Sequence, residues 1–434
     1  MSDTLCPAVW DHLCINTMGK NRLCCNAVTQ DKDKFIDNFD QHWNGLRDNI
    51  KKEMLAGNRP DICKSCWKKE ESGMSSLRTQ KIETYQNQGI WDNFLNTVNT
   101  TKKYPVELDL KLGNYCNLSC RMCSSYSSSG VANEFQKILK DTGVDLGVNE
   151  YEKTFVQNKW YLKDEFVDSI KDMIANGLRY LKFTGGEPLM VPSVKKIINY
   201  CVENNYAKDI ELVIITNVTL IDDEWIKQFK AFQMVNIICS IDGIGNTFEY
   251  IRHPGNWNDV NGKLQKLHNA QSSNLIISVT FTLQIYNILE IRNLVELSQK
   301  YMFHLSLIPL DTPAYFDVRN APQSLKNTAL EMIASLEHEL TLSSIGWSKK
   351  WTTVTENNCL CFYNSKPKDI SCLSTCPNVV TNVLNKFVSN IKKKILQPQQ
   401  KDFDNEFLKV TKIKDTYKNQ NFNTLEISKY YDSI

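Results

Sequence analysis

Between Tyr104 and Leu310 short apolar, β-rich runs alternate with amphipathic stretches of helical spacing, the pattern of successive βα units feeding a parallel sheet. Six runs read as strands: 105–112 (PVELDLKL), 179–184 (RYLKFT), 210–216 (IELVIIT), 234–241 (MVNIICSI), 275–283 (LIISVTFTL) and 303–310 (FHLSLIPL). Helices are predicted near 163–176, 192–205, 222–232, 258–271 and 287–301, with another at 131–141 inside a long first crossover. Six units predict an α/β fold, a partial (β/α)6 TIM-like barrel over residues 104–312, rather than a closed barrel of eight strands. Ligands in such folds bind at the carboxyl ends of the strands, so the residues just after each strand are the first candidates for a site.

The flanks differ in character. Residues 1–100 carry cysteines, glycine turns and one helical stretch at 43–55, without βα alternation. They read as a small cysteine-rich domain with a poor core, where bound metal would supply folding energy. Residues 313–434 are mainly helical and polar. Their lysine-rich run at 385–401 reads as a solvated helix face rather than a nucleic-acid patch.

Composition narrows the class. A chain of 434 residues can bury two or three cores, and 42% hydrophobic with 23% charged residues is ordinary for a soluble globular protein. A formal charge of +2 demands neither nucleic acid nor an anionic membrane as partner. No apolar run is long enough to span a bilayer, and MSDTLCPAVW lacks the layout of a signal peptide, so a cytoplasmic protein is expected. Fifteen cysteines in a reducing compartment point to metal binding or catalysis before disulfides. Cys14, Cys201 and Cys239 stand alone and read as small buried hydrophobes.

The chemistry concentrates at strand ends. LGNYCNLSCRMCSS sets Cys116, Cys120 and Cys123 as C-x3-C-x2-C directly after the first strand. Three thiolates can hold three irons of a cubane and leave the fourth without a protein ligand, whereas structural zinc wants four closed ligands. After the second strand comes TGGEP, Thr184 to Pro188, where glycine lets backbone approach a ligand closely. The fourth strand runs into CSIDG, and Arg252 follows Ser240 by twelve residues. Its guanidinium fork suits a carboxylate, the other reading being a surface arginine paired with Glu249. Asn217 follows the third strand in ITNVT, where a plain turn residue is the alternative.

Together these segments resemble the radical S-adenosylmethionine (SAM) superfamily. The resemblance implies an enzyme in which Cys116, Cys120 and Cys123 hold a 4Fe-4S cluster that cleaves SAM reductively. It assigns Gly185, Gly186 and Glu187 to the SAM amino group and Asn217 to the ribose. Ser240 and Arg252 match, in separation, the carboxylate-binding pair of the sulfatase-maturing members. Met122 and Ile308 fall where residues near adenine lie, although both also suit a core.

A second resemblance lies at the start. Cys6, Gly19 and Cys24 form C-x12-G-x4-C, and Cys63 with Cys66 adds C-x2-C, within text similar to the twitch or SPASM modules of radical SAM enzymes. That implies an auxiliary 4Fe-4S cluster on Cys6, Cys24, Cys63 and Cys66, with Cys25 competing for the place of Cys24. A zinc ribbon on the same thiolates is the alternative. The module normally follows the barrel, and here it precedes it. Cys359, Cys361, Cys372 and Cys376 have no standard metal-site spacing and read as free structural thiols, a further cluster or zinc site being the alternative.

The implied reaction is oxidative modification of a peptide or protein by hydrogen-atom abstraction, with electrons from a donor such as flavodoxin or ferredoxin. Dehydrogenation of a carbohydrate or other small molecule is a second reading. A non-catalytic iron-sulfur or zinc-binding interaction protein is a third, disfavoured because such a protein has no need of the GGE, Ser240 and Arg252 set. The dispersed lysines form no basic stripe for RNA. Asp242 and Asp311 fall near the expected active end without an assigned catalytic role.

Overall fold

The computed structural model describes residues 3–27, 47–100, 102–147, 159–355, 376–399 and 403–431. The strands are β1 (His12–Ile15), β2 (Asn21–Arg22), β3 (Glu107–Lys111), β4 (Tyr180–Thr184), β5 (Glu211–Thr216), β6 (Met234–Ser240), β7 (Leu275–Leu283) and β8 (His304–Pro309). They form a single sheet in the order β2-β1-β3-β4-β5-β6-β7-β8. β3 to β8 are the six expected strands, paired in parallel with sequential neighbours as an open, partial barrel.

Alternation along each strand sorts its residues. In β6 and β7, Val235, Ile237, Cys239, Ile277, Val279 and Phe281 are fully buried. The intervening positions carry Asn236, Ser240, Ser278 and Thr280 on the opposite face. Register aligns Ser240 with Thr280 and Thr280 with Ser306 at the carboxyl end.

The N-terminal region contributes helices α1 (Pro7–Asp11), α2 (Arg47–Leu55), α3 (Lys64–Glu71), α4 (Leu77–Asn87) and α5 (Trp91–Thr97). Trp10, Ile50, Trp67, Tyr85 and Phe94 pack in a core of their own. The region also extends the sheet, because β1 pairs in parallel with β3 from His12↔Glu107 to Ile15↔Leu110. A buried chain crosses that junction, where Glu107 meets His12 at 3.0 Å and Lys81 at 2.5 Å. All four residues of β1 are buried, so it lacks the polar-apolar alternation that would announce a strand.

Around the barrel lie α6 (Ser129–Thr142), α7 (Asp164–Ala175), α8 (Pro192–Glu203), α9 (Asp223–Phe229), α10 (Gly245–Ile251), α11 (Trp257–Ala270) and α12 (Ile291–Tyr301). Side chains of Ser128, Asp222 and Asn256 cap α6, α9 and α11 by accepting orphan N–H groups of the first turn. The C-terminal region holds α13 (Gln323–Thr355), α14 (Cys376–Ile395) and α15 (Asp404–Lys418). Leu325, Ile333, Phe387, Ile391 and Phe407 join the same core as the barrel strands.

The lysine run at 385–401 is not wholly solvated. Lys394 is buried and donates to Asp311 and Asp317, since an ammonium can leave water only when carboxylates face it. Cys359, Cys361 and Cys372 lie outside the described residues, and Cys376 begins α14. Among the described residues no helix is long and apolar enough to cross a membrane.

Candidate active site

The loop after β3 carries Cys116, Cys120 and Cys123, and three neighbouring segments hold it. The first is the turn after β4. Gly186 N–H donates to Gly113 O at 3.1 Å and Glu187 N–H to Tyr115 O at 2.8 Å. A Cβ on Gly186 would stand 2.1 Å from Tyr115 O, and Gly185 has φ +130°, so both positions require glycine. The close approach these glycines permit is therefore to the cysteine loop, where the sequence pointed to a ligand.

Glu187 is fully buried, and its carboxylate is occupied within the fold. Oε1 accepts from Leu189 N–H at 3.2 Å and Thr216 Oγ1 at 2.8 Å, while Oε2 accepts from Asn217 N–H at 2.6 Å. Burial pushes its pKa up to about 7, opposed by these same hydrogen bonds. The side chain thus ties the end of β5 to the glycine turn, and what the turn can offer a ligand is backbone.

The second segment follows β5. The Asn217 Oδ1 accepts from Thr219 N–H at 3.0 Å, and its Nδ2 donates to Asn117 Oδ1 at 2.8 Å. Asn117 in turn donates to Thr219 Oγ1 at 2.8 Å. Asn217 Nδ2 also lies 3.9 Å from Cys116 Sγ. Asn217 thus ties its turn to the cysteine loop as well as forming it, and Asn117 and Thr219 are the partners in that tie, which the sequence reading did not name. N-L-S between the first two cysteines gave no signal beyond proximity.

The third segment is the end of α10. Ser119 N–H donates to His253 O at 2.7 Å and Arg121 N–H to Ile251 O at 2.9 Å, a short ladder that lays Arg252 against Cys120. Arg252 Nη1 lies 3.9 Å from Cys120 Sγ, and Nη2 lies 2.6 Å from Asp242 Oδ2. Both side chains are buried, which overturns the surface pairing of Arg252 with Glu249 as an alternative. Asp242 is held on its other side by Thr282 N–H at 2.7 Å. The Nε of Arg252 is buried without a hydrogen-bond partner, an N–H that an incoming carboxylate would satisfy.

The remaining candidates are more dispersed. Ser240 ends β6, half-buried beside Thr280. Met122 is half-buried in the cysteine loop and packs against the main core. Ile308 on β8 is 50% exposed, so it is not a core residue.

The segment holding all these groups has relatives. Residues 110–297 match the family model for the Radical SAM superfamily. This chain carries a radical SAM domain. The match runs from β3 into α12, so it contains the cysteine loop, the glycine turn, Asn217 and Arg252. Fe-coproporphyrin III synthase of Methanosarcina barkeri is 30% identical over 131 residues, 30% of this chain and 31% of that protein. The sporulation killing factor maturation protein SkfB of Bacillus subtilis is 24% identical over 235 residues, 53% of this chain and 49% of that protein. The similarity thus spans half or less of either curated relative. Among solved structures, Streptococcus suis SuiB bound to precursor peptide SuiA aligns over 68% of this chain and 61% of its own, at 14% identity and a TM-score of 0.36.

Radical SAM proteins carry a 4Fe-4S cluster and bind SAM, and the donor set of this domain fits that cluster. The Cys123 thiol hydrogen-bonds to Cys120 and, against the cost of burial and with Arg252 assisting, lowers the Cys120 pKa to about 7. Burial pushes Cys116 up to about 12, and its sulfur accepts from Leu118 N–H at 3.4 Å. N–H groups aimed at all-cysteine donors are what an iron-sulfur cluster uses.

Outside the radical SAM domain, Cys6, Cys24, Cys63 and Cys66 line one pocket together with Arg78, and Cys25 is not among its lining residues. Burial pushes Cys6 up to about 12 and Cys24 up to about 11, and neighbouring thiols add to both. Arg78 lies across the Trp67 ring at 4.8 Å and pairs with Glu70 at 2.5 Å. Among the described residues no group of three or more His, Cys, Asp or Glu side chains is gathered closely enough to hold a metal ion as it stands. What favours a cluster at either place is the donor set and its surroundings.

Proposed function

We propose that this chain cleaves SAM reductively at a cluster on Cys116, Cys120 and Cys123 and abstracts a hydrogen atom to modify a peptide or protein oxidatively. The observation that carries the proposal is the pairing of 119–121 with 251–253, which sets the Arg252 guanidinium beside Cys120 with one N–H unused. A cluster held there would supply the electron that splits SAM into methionine and the 5′-deoxyadenosyl radical.

The protein's own groups divide the remaining work. Arg252, oriented by Asp242, receives the SAM carboxylate, with Ser240 on the neighbouring strand end. Backbone of Gly185 and Gly186 receives the amino group, and Glu187 acts as a positioning residue. Asn217 serves the ribose, and Met122 and Ile308 flank the adenine. In the domain layout proposed, 1–100 is a twitch or SPASM-like auxiliary cluster domain, 104–312 the radical SAM barrel and 313–434 a helical C-terminal region. Cys6, Cys24, Cys63 and Cys66 would hold the auxiliary 4Fe-4S cluster, which when bound would offer an acceptor for the second electron of the net oxidation. A flavodoxin or ferredoxin supplies the first. The similarity to a maturation protein, SkfB, favours a peptide or protein over a small molecule.

Protein reconstituted without oxygen should convert SAM to 5′-deoxyadenosine when given a reductant, and Cys120→Ala should abolish the conversion. An active Cys120→Ala enzyme would remove the assignment. Deuterium reaching 5′-deoxyadenosine from a deuterated peptide pool supports the substrate class, and transfer from deuterated sugars alone would replace it.

A further inference from the structure

The C-terminal helix α15 lies outside the radical SAM match, yet it reaches the cysteine loop at the two residues that flank Cys120. Lys418 Nζ donates to Ser119 O at 2.7 Å and to Ser119 Oγ at 2.8 Å. Lys414 Nζ donates to Arg121 O at 3.2 Å. Both lysines are buried, at 4% and 1% exposure, where an ammonium is stable only with compensating charge.

That compensation is incomplete within the protein. Arg252 is matched by Asp242 and Arg121 by Asp415. Lys414 and Lys418, by contrast, share the single carboxylate of Glu134, which pairs closely with Lys418 and lies 3.8 Å from Lys414. The Arg121 guanidinium is fixed as well, 3.6 Å over the Tyr250 ring and hydrogen-bonded to Gln420 Oε1 at 2.8 Å. With Lys414 protonated one positive charge is left over, against a loop whose cysteines become thiolates when iron binds; burial above all pushes the Lys414 pKa down to about 7. A cluster on three thiolates is anionic, and its charge would balance the surplus.

We propose that α15 is a working part of the radical site: Lys414 and Lys418 fix the backbone on both sides of Cys120, and Lys418 raises the cluster's reduction potential. This rests on the assignment of the cluster to Cys116, Cys120 and Cys123. Lys418 is a positioning residue, since it acts through the loop and through its field without touching SAM.

The test is a redox titration of full-length protein, following the reduced-cluster EPR signal that changes when SAM is added. Lys418→Met removes the surplus cation and leaves Glu134 to Lys414 alone, so the midpoint potential should fall. Lys418→Arg should hold it near the wild-type value. Glu134→Gln should move it the other way, upward, a reversal that a purely structural role does not produce. Full iron content with an unchanged potential in both Lys418→Met and Glu134→Gln would overturn the proposal. If Lys418→Met fails to fold or to load iron, Glu134→Gln decides alone, a rise supporting the proposal and no change refuting it. Wild-type protein without any SAM-sensitive signal would sink the cluster assignment itself, and this inference with it.

Discussion

Gly186→Ala puts a methyl group where the cysteine loop passes closest to the turn after β4. Its Cβ would stand 2.1 Å from Tyr115 O and 2.6 Å from the carbonyl carbons of Asn114 and Tyr115. These are backbone atoms that cannot rotate away. Restoring ordinary contact requires the loop and the turn to part by roughly an ångström. That separation breaks the hydrogen bonds Gly186 N–H to Gly113 O and Glu187 N–H to Tyr115 O. Each contributes about 1 kcal/mol, and overpacking adds about 1–3 kcal/mol, for a total loss of about 3–5 kcal/mol. Tyr115 adjoins Cys116, so the displacement falls on the iron ligands as well as on stability. The assay is thermal unfolding combined with iron content after anaerobic reconstitution. Gly262→Ala is the control, because Gly262 is exposed within α11 and a Cβ there meets nothing within 4 Å. It should gain about 0.5–1 kcal/mol by helix propensity. A Gly186→Ala protein as stable and as iron-rich as Gly262→Ala would refute the account of the turn.

Glu187→Gln exchanges a carboxylate that accepts three donors for an amide with one acceptor, so unfolding in urea should show a loss of about 2–4 kcal/mol. Because burial raises the folded pKa of Glu187 from 4.5 to about 7, folding takes up a proton there. This contribution, on the order of 3 kcal/mol, is fully present below the unfolded value and is lost as pH rises through about 7. Wild-type stability should therefore fall between pH 5 and 8 relative to Glu187→Gln, and parallel profiles would contradict the assignment. Arg47 donates to Val9 O at 3.1 Å, Ala8 O at 3.4 Å and Arg22 O at 3.2 Å, bracing the segments that carry Cys6 and Cys24. Arg47→Met should cost about 3 kcal/mol and lower iron at the N-terminal site, while SAM cleavage in the first turnover is retained. Unchanged iron content would refute the bracing role.

The barrel was legible because each of its six strands shows its own apolar run between helical periods, and all six stand within two residues of their expected limits. β1 escaped notice for the opposite reason: burial on both faces erases the alternation that a strand needs to be read. The cysteine triad, the glycine turn and Arg252, which the fold brings together, were singled out by type and spacing. Asp242 was noted near the active end but not as the partner of Arg252, and Asn117, Thr219 and Lys418 were not noted, since they act by three-dimensional proximity and nothing local marks a lysine that will fold across nearly three hundred residues onto Ser119. Glu187 shows a subtler gap. Its position was legible, but its orientation depends on Thr216 and Asn217, which lie on another strand end.

The central claim is that one iron at the cysteine loop has no protein ligand and takes SAM in its place. Mössbauer spectra of protein loaded with iron-57, recorded before and after SAM is added, test it most directly. The account predicts that about one iron in four of the cluster on Cys116, Cys120 and Cys123 changes its isomer shift when SAM binds. Spectra that do not respond to SAM, or a Cys116, Cys120 and Cys123 triple-alanine protein that responds just as the wild type does, would contradict it.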